Sequence, residues 1–389
     1  MGFNLWLGKS LFGMKIIKRV FVIFIFLFWG CASSLKFPRV DFKEKDSDWR
    51  SFRYDQINQT IRNSNITLPL KLLWKKKVGP SYSTPLILEE MIIIGTLEQK
   101  LVFLDFNTGE KLGSYSLDFP LTITPCADES ILYFNGGKEN SNLFALNLKS
   151  GALVWKKRLK DISSSPIIIK GGLFVATERG EFLSLNKING EEFWKHTAGD
   201  FIYSAAAFSG EVLYFGAGDG KIYSLDINSG KQIWSYETKG AIYTSPGIEE
   251  KTLLLGSADG YFYALDLSTG ELLWKFKTRG SVHSSASLDK GRIYFGSNDG
   301  HLYALSSKSG ELVWSFETDG PVHSSPLIIG DKIFFGSLDG NFYGVNSLKG
   351  EMVFKYKTGG MIYASPSFSE GKILIPSMDG YLYCFSGKE

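Results

Sequence analysis

Residues 281–320 read SVHSSASLDKGRIYFGSNDGHLYALSSKSGELVWSFETDG. Four short apolar runs alternate here with turn signals. Residues 282–288, 292–297, 301–305 and 312–317 are read as strands A, B, C and D. Asp299-Gly300 separates B from C, and Ser309-Gly310 separates C from D. Such dipeptides between short apolar runs mark hairpins, because glycine accepts the positive φ that tight turns need. Four antiparallel strands in about 40 residues make one wedge-shaped sheet, the unit of a propeller blade.

The same pattern recurs on both sides of this stretch. A Trp or its substitute stands at Trp74, Tyr115, Trp155, Trp194, Trp234, Trp274, Trp314 and Phe354, in steps of 41, 40, 39, 40, 40, 40 and 40. A small-small-Pro triplet or a variant recurs in phase, from Ser83-Thr84-Pro85 to Ala364-Ser365-Pro366. The blade count is eight. Residues 72–77 form a D-type strand with no A to C before it, and 381–385 a C-type strand with no D after it. Joining them completes the eighth blade and leaves no open edge in the ring. The fold class is therefore all-β, an eight-bladed β-propeller of four-stranded antiparallel blades whose last blade is closed by the N-terminal strand. Wedges converge on an axis, so the inner strand must be narrow and the outer one wide. The triplets supply Ser, Thr, Ala and Pro inside. Trp74, Trp155, Trp194, Trp234, Trp274 and Trp314 are read as structural blade-docking residues outside.

Composition limits the function. Lys and Arg number 43 against 40 Asp and Glu, which gives no electrostatic case for a nucleic-acid partner. Three cysteines are too few for a disulfide scaffold. No HExxH, GxSxG, P-loop or Cys-x-x-Cys stands in the chain, so no catalytic, cofactor-binding or metal-ligating set is assigned and no cofactor is expected. The residue before each triplet is Tyr82, Thr122, Ser163, Tyr203, Tyr243, His283, His323 and Tyr363. These eight share one repeat phase and project toward one mouth of the central channel. Tyr82, Tyr203, Tyr243, His283, His323 and Tyr363 are candidate contacts for a small ligand or a peptide there. The alternative is a polar plug. Asp219, Asp259, Asp299, Asp339 and Asp379 form a second ring, read as turn chemistry rather than calcium ligands. Cys126 and Cys384 fall in blades two and eight and are read as small core residues.

The N-terminal region has a different character. Lys15, Lys18 and Arg19 precede ten unbroken apolar residues, 20–29, and then Gly30-Cys31-Ala32. A basic patch before a short apolar core is an export signal and is too short to span a bilayer. Met14 is a second candidate start beside Met1. Residues 1–30 are assigned as signal peptide, 31–70 as a charged tether or linker, and 71–389 as the propeller. Phe42, Trp49, Phe52 and Tyr54 are more aromatic than a spacer needs; docking on the folded domain and partial disorder are the two readings.

The pattern Tyr-Ala-Leu-Asp-x-x-(Thr/Ser)-Gly-x-x-x-Trp at 263–274 resembles the tryptophan-docking repeat of the quinoprotein (PQQ) propeller superfamily, over about 71–386. Gly30-Cys31 after the apolar run resembles the lipobox of bacterial lipoproteins, with Phe28 and Trp29 where Leu and a small residue are usual. That resemblance implies lipidation of Cys31 and, with no Asp after it, an outer-membrane location. The quinoprotein alcohol dehydrogenases of the superfamily carry long loops for cofactor and calcium, and a vicinal disulfide; this chain has no Cys-Cys pair and almost no insertions. The BamB-like lipoprotein branch is the more similar. It implies a non-enzymatic scaffold, tethered at the periplasmic face of the outer membrane by a lipid anchor. The protein partners it implies belong to the outer-membrane assembly machinery, and the propeller is expected to be monomeric. The inserted loop by which that branch contacts its assembly partner has no evident counterpart. A ligand-sensing or polymer-binding propeller, or a quinone-dependent oxidoreductase, are the alternatives.

Overall fold

A computed structural model of the chain describes residues 48, 50–52, 61–62, 66–136 and 142–387. The basic patch, the apolar run and Cys31 lie outside the described residues, as do Phe42, Trp49 and Tyr54. The described strands form eight antiparallel sheets of four, each one blade, and one of them accepts a fifth, parallel strand. In blade 6 the strands are Ser287–Asp289, Arg292–Gly296, His301–Ser306 and Leu312–Glu317. Strands B to D match the sequence reading to within a residue.

Strand A differs. It spans three residues and not the seven of 282–288, in this blade and in every other. In blades 4 and 5 side-chain hydrogen bonding accounts for this. In blade 5, Thr244 Oγ1 donates to Gly256 O at 2.8 Å and accepts from Gly256 N at 3.1 Å. Ser204 Oγ does the same with Gly216, at 2.9 and 3.0 Å. A hydroxyl thus takes both ladder positions beside strand B, and the backbone of the triplet is released from the sheet.

The ring is closed by the N-terminal strand. Lys71–Lys77 pairs antiparallel with Tyr381–Ser386, from Lys71 opposite Ser386 to Lys77 opposite Tyr381. One buried cluster joins Val78, Ile87, Ile92 and Val102 to Phe334 and Phe342 and to Ile373, Leu382 and Phe385, which spans blades 1, 7 and 8. The core as a whole lies between neighbouring blades, as where Tyr294 and Leu302 of blade 6 pack on Ile333 and Phe335 of blade 7. Burial of this apolar surface is the main favourable term for the ring.

Each docking Trp reaches across a blade boundary. The Trp274 indole N–H donates to Ser307 O at 3.1 Å, and Trp314 donates to Ser347 O at 3.1 Å. Trp155, Trp194 and Trp234 do the same with Lys187, Ile227 and Leu267. Trp74 donates to Asn107 O at 3.1 Å, so the closing strand of blade 8 is pinned to blade 1. Every acceptor lies in the C–D turn of the next blade, whose glycine lies against the indole. Tyr115 and Phe354 pack by ring contact instead, 6.1 Å from Phe134 and 5.6 Å from Phe385 between centroids. Cys126 and Cys384 are buried free thiols in blades 2 and 8, and burial pushes Cys384 up to about 12.

Candidate channel-mouth site

The loop from strand D into the triplet places the residue before each triplet at one end of the axis. Tyr82, Thr122, Ser163, Tyr203, Tyr243, His283, His323 and Tyr363 all line one cavity of about 260 Å³. Six of them form a continuous aromatic arc. Ring centroids lie 6.0 Å apart from Tyr203 to Tyr243, 4.7 Å on to His283, 5.1 Å to His323, 5.7 Å to Tyr363 and 5.1 Å to Tyr82. Offset and edge-to-face contacts at these separations are favourable ring geometries. Thr122 and Ser163 leave the arc open on the side of blades 2 and 3.

The cavity is electrically quiet. Among the described residues no Asp, Glu, Lys or Arg lines it. Burial lowers the His283 imidazole from its usual range. Burial first, and His283 beside it second, push His323 down to about 4. Both imidazoles are therefore neutral near pH 7. At the rim, Tyr203 OH donates to Glu178 Oε1 at 3.2 Å, and burial first and that carboxylate second raise its phenol.

Beneath the arc lies a feature that sequence reading missed. The middle triplet residues bridge neighbouring blades through their hydroxyls. Thr84 N donates to Thr124 Oγ1 at 3.0 Å and Thr124 N to Ser165 Oγ at 3.2 Å. Ala205 N, Ser245 N and Ser325 N donate to the Oγ of Ser245, Ser285 and Ser365, each at 2.9 Å. Ala205 alone of the eight lacks a hydroxyl; at the boundary of blades 6 and 7 Ser284 Oγ donates to Ser324 O at 3.0 Å instead, and among the described residues Thr84 Oγ1 has no partner. Blade 3 is joined to blade 4 through Ser163 Oγ, which donates to Ile202 O at 2.6 Å. The signal was present as Ser or Thr at seven of eight middle positions, but small size alone explained it.

The N-terminal segment also enters the channel. Asp48, 5% exposed, accepts from Glu89 N at 2.8 Å in the A–B turn of blade 1, and pairs with Arg50 at 2.7 Å. Arg50 O accepts from Ala127 N on strand A of blade 2 at 2.8 Å. Phe52 lines the mouth cavity. Residues 61–62 pair in parallel with strand A of blade 7, Ile61 opposite Ile328 and Arg62 opposite Ile329. Of the four aromatics of this stretch Phe52 alone is among the described residues, and it docks on the propeller.

The second ring holds the blades together. Asp259 Oδ2 accepts Tyr263 OH at 2.6 Å and Lys239 N, from the loop leading in, at 3.0 Å; its Oδ1 accepts Tyr261 N at 2.9 Å. Asp219, Asp299, Asp339 and Asp379 make the same bonds to Tyr223, Tyr303, Tyr343 and Tyr383 and to the preceding loop. These carboxylate oxygens are committed to the fold. Among the described residues no group of three His, Cys, Asp or Glu is placed to hold a metal ion.

A repeat-family model described as outer membrane protein assembly factor BamB matches residues 139–275 and 258–388, more than half of the chain. The chain belongs to this family. It is 26% identical over 154 residues to BamB of Yersinia pestis, covering 35% of this chain and 39% of that one. It is 28% identical over 168 residues to the quinoprotein alcohol dehydrogenase PedH of Pseudomonas putida, covering 36% of this chain and 28% of that one. The chain thus spans well under half the length of these curated relatives in either match. The crystal structure of BamB from Moraxella catarrhalis is similar at a TM-score of 0.69 and 18% identity, over 82% of this chain and all of that one. A quinohemoprotein alcohol dehydrogenase from Comamonas testosteroni aligns at 0.77 and 15%, over 88% and 81%. At such identities the two structures establish the shared fold alone.

Dehydrogenases among the relatives of this BamB-family chain imply a quinone in the channel. The described residues of the cavity do not fit one. A polyanionic quinone needs cationic or strongly polarised partners, whereas the cavity offers neutral imidazoles, phenols and small hydroxyls. The two described thiols lie in blades 2 and 8 and are inert by burial.

Proposed function

We propose that the protein is a non-enzymatic scaffold of the cell envelope, acting as the BamB family is named: in outer-membrane protein assembly. The observation that carries this reading is the family match across 139–388. The neutral donor set of the channel mouth supports it against a quinone-dependent dehydrogenase. A rigid ring whose turns project from two faces presents wide surfaces to protein partners. In this reading residues 1–30 are a signal peptide, Cys31 carries a lipid, 31–70 is the tethering region, and 71–389 is a monomeric propeller at the periplasmic face of the outer membrane. Labelled palmitate should enter the wild type and not Cys31→Ser; label in the variant contradicts the anchor. Removal of the protein from cells should lower the outer membrane's content of β-barrel proteins. Unchanged content, with loss of a quinone-dependent dye-reducing activity, would favour the dehydrogenase.

A further inference from the structure

Strand A is the inner strand of each blade, and a strand edge is a template for another extended segment. Among the described residues, the chain itself is seen to engage the strand A edges of blades 2 and 7. Ala127 N of blade 2 donates to Arg50 O, and Leu327–Ile329 of blade 7 pairs with Ile61–Arg62. Side chains fix the first of these passes at both ends. Asp48 is buried at the A–B-turn end, where its carboxylate takes both the Arg50 guanidinium and the Glu89 amide. A buried carboxylate is tolerated only when paired in this way, so the contact is specific. At the other end Phe52 enters the cavity ringed by the Tyr/His arc. Strand A runs from the mouth toward the A–B turn, so the order Asp48, Arg50, Phe52 runs against it and 61–62 runs with it.

We propose that the central channel is a binding site for an extended peptide, and that its resident ligand is the chain's own N-terminal segment, anchored by Asp48 and Arg50 and by Phe52 in the mouth cavity. The recognition chemistry is main-chain pairing to the inner edges, one buried carboxylate that accepts the Glu89 amide and is neutralised within the segment by Arg50, and one aromatic side chain in a neutral aromatic cavity. A peptide of that chemistry competes for the channel. The covalent link gives the resident segment a high effective concentration, so competition is weak until an anchor is removed. This inference goes beyond the scaffold reading and does not depend on it.

The test uses the full chain and a fluorescent synthetic peptide with the sequence of residues 46–62. Binding is read by anisotropy to the wild type and to the double variant Asp48→Ala with Phe52→Ala. The variant should bind the peptide at least about tenfold more tightly than the wild type. A peptide carrying Phe52→Ala should bind the variant at least about tenfold more weakly than the native peptide. Equal binding by the two chains, no binding by either, or equal binding of the two peptides overturns the proposal. Hydrogen exchange at the Ala127 amide gives a second reading on single-residue variants. It should be slow in the wild type and at least about tenfold faster in Asp48→Ala. An Ala127 amide that exchanges freely in the wild type overturns the proposal whether or not the double variant folds.

Discussion

Gly310 shows how one atom decides a blade boundary. Its φ is +70°, and a Cβ there would lie 2.4 Å from Trp274 Cε3. Gly310→Ala meets both the left-handed backbone and the indole, and should cost about 2–4 kcal/mol. Gly171, with φ +82° and nothing within 4 Å, bears only the backbone cost, about 1 kcal/mol for Ala. Urea unfolding of the two variants separates the terms, and equal losses would mean that the indole contact is not tight. The Trp series was legible because only a large flat residue fits the wide outer boundary. The hydroxyl bridges were not, because a Ser chosen for size and a Ser chosen for its hydrogen bond look alike. The bridge series predicts a gain at the one middle position that lacks a hydroxyl. Ala205→Ser supplies an acceptor in the position from which Ser245, one blade on, receives the Ala205 amide, and should add about 0.5–1.5 kcal/mol. A lower melting temperature would contradict the series. His283 and His323 titrate with the fold. Both are depressed when folded, so as pH falls below about 6.5 the unfolded chain takes up protons first. Their contribution is complete above that pH and is lost on the way down to about 4, the range to which His323 is pushed. The melting temperature of the wild type should fall across this window more steeply than that of His283→Gln with His323→Gln. His196, also lowered by burial, leaves a residual slope in the variant.

At the scale of elements, the closing strand carries the largest expectation. Lys71–Lys77 supplies the fourth strand of blade 8, and Trp74 ties it to blade 1. A chain of 78–389 should melt far below one of 71–389. Truncation of a large buried aromatic costs about 3–5 kcal/mol, and half-buried Trp74 alone falls at the low end. Equal melting temperatures would sink the closure. This element was readable because a lone D-type strand at one end and a missing one at the other leave a single pairing. The passage of 48–52 and 61–62 through the channel was not readable. Asp48, Arg50 and Phe52 stand in no repeat phase, and their partners Glu89 and Ala127 are fixed only by the assembled ring. A tether outside the ring would be removable at little cost. Because Asp48 and Arg50 are bonded inside it, Asp48→Ala should lower stability by about 1–3 kcal/mol, the cost of stranding a buried partner. No change in the unfolding midpoint would return the segment to the outside.

At the scale of the whole molecule, the eight-fold repeat explains why fold and function were unequally legible. A blade must repeat its Trp, its turn glycines and its narrow triplet to close, so forty-residue periodicity exposes the architecture. Function lies where repeats differ, and here they differ little beyond the identity of eight channel-mouth residues. Those eight were found because they share one phase, and the structure gathers all of them around one cavity. Their chemistry is neutral and aromatic, which suits recognition better than electron or proton transfer. That chemistry fits the binding role proposed above. Photo-cross-linkers placed on the turns of both faces of the full-length protein in living cells, with the adducts read by mass spectrometry, test it most directly. One face should yield adducts with subunits of the outer-membrane protein assembly machinery. Adducts from neither face, in cells where the protein copurifies with a stoichiometric quinone, would contradict it.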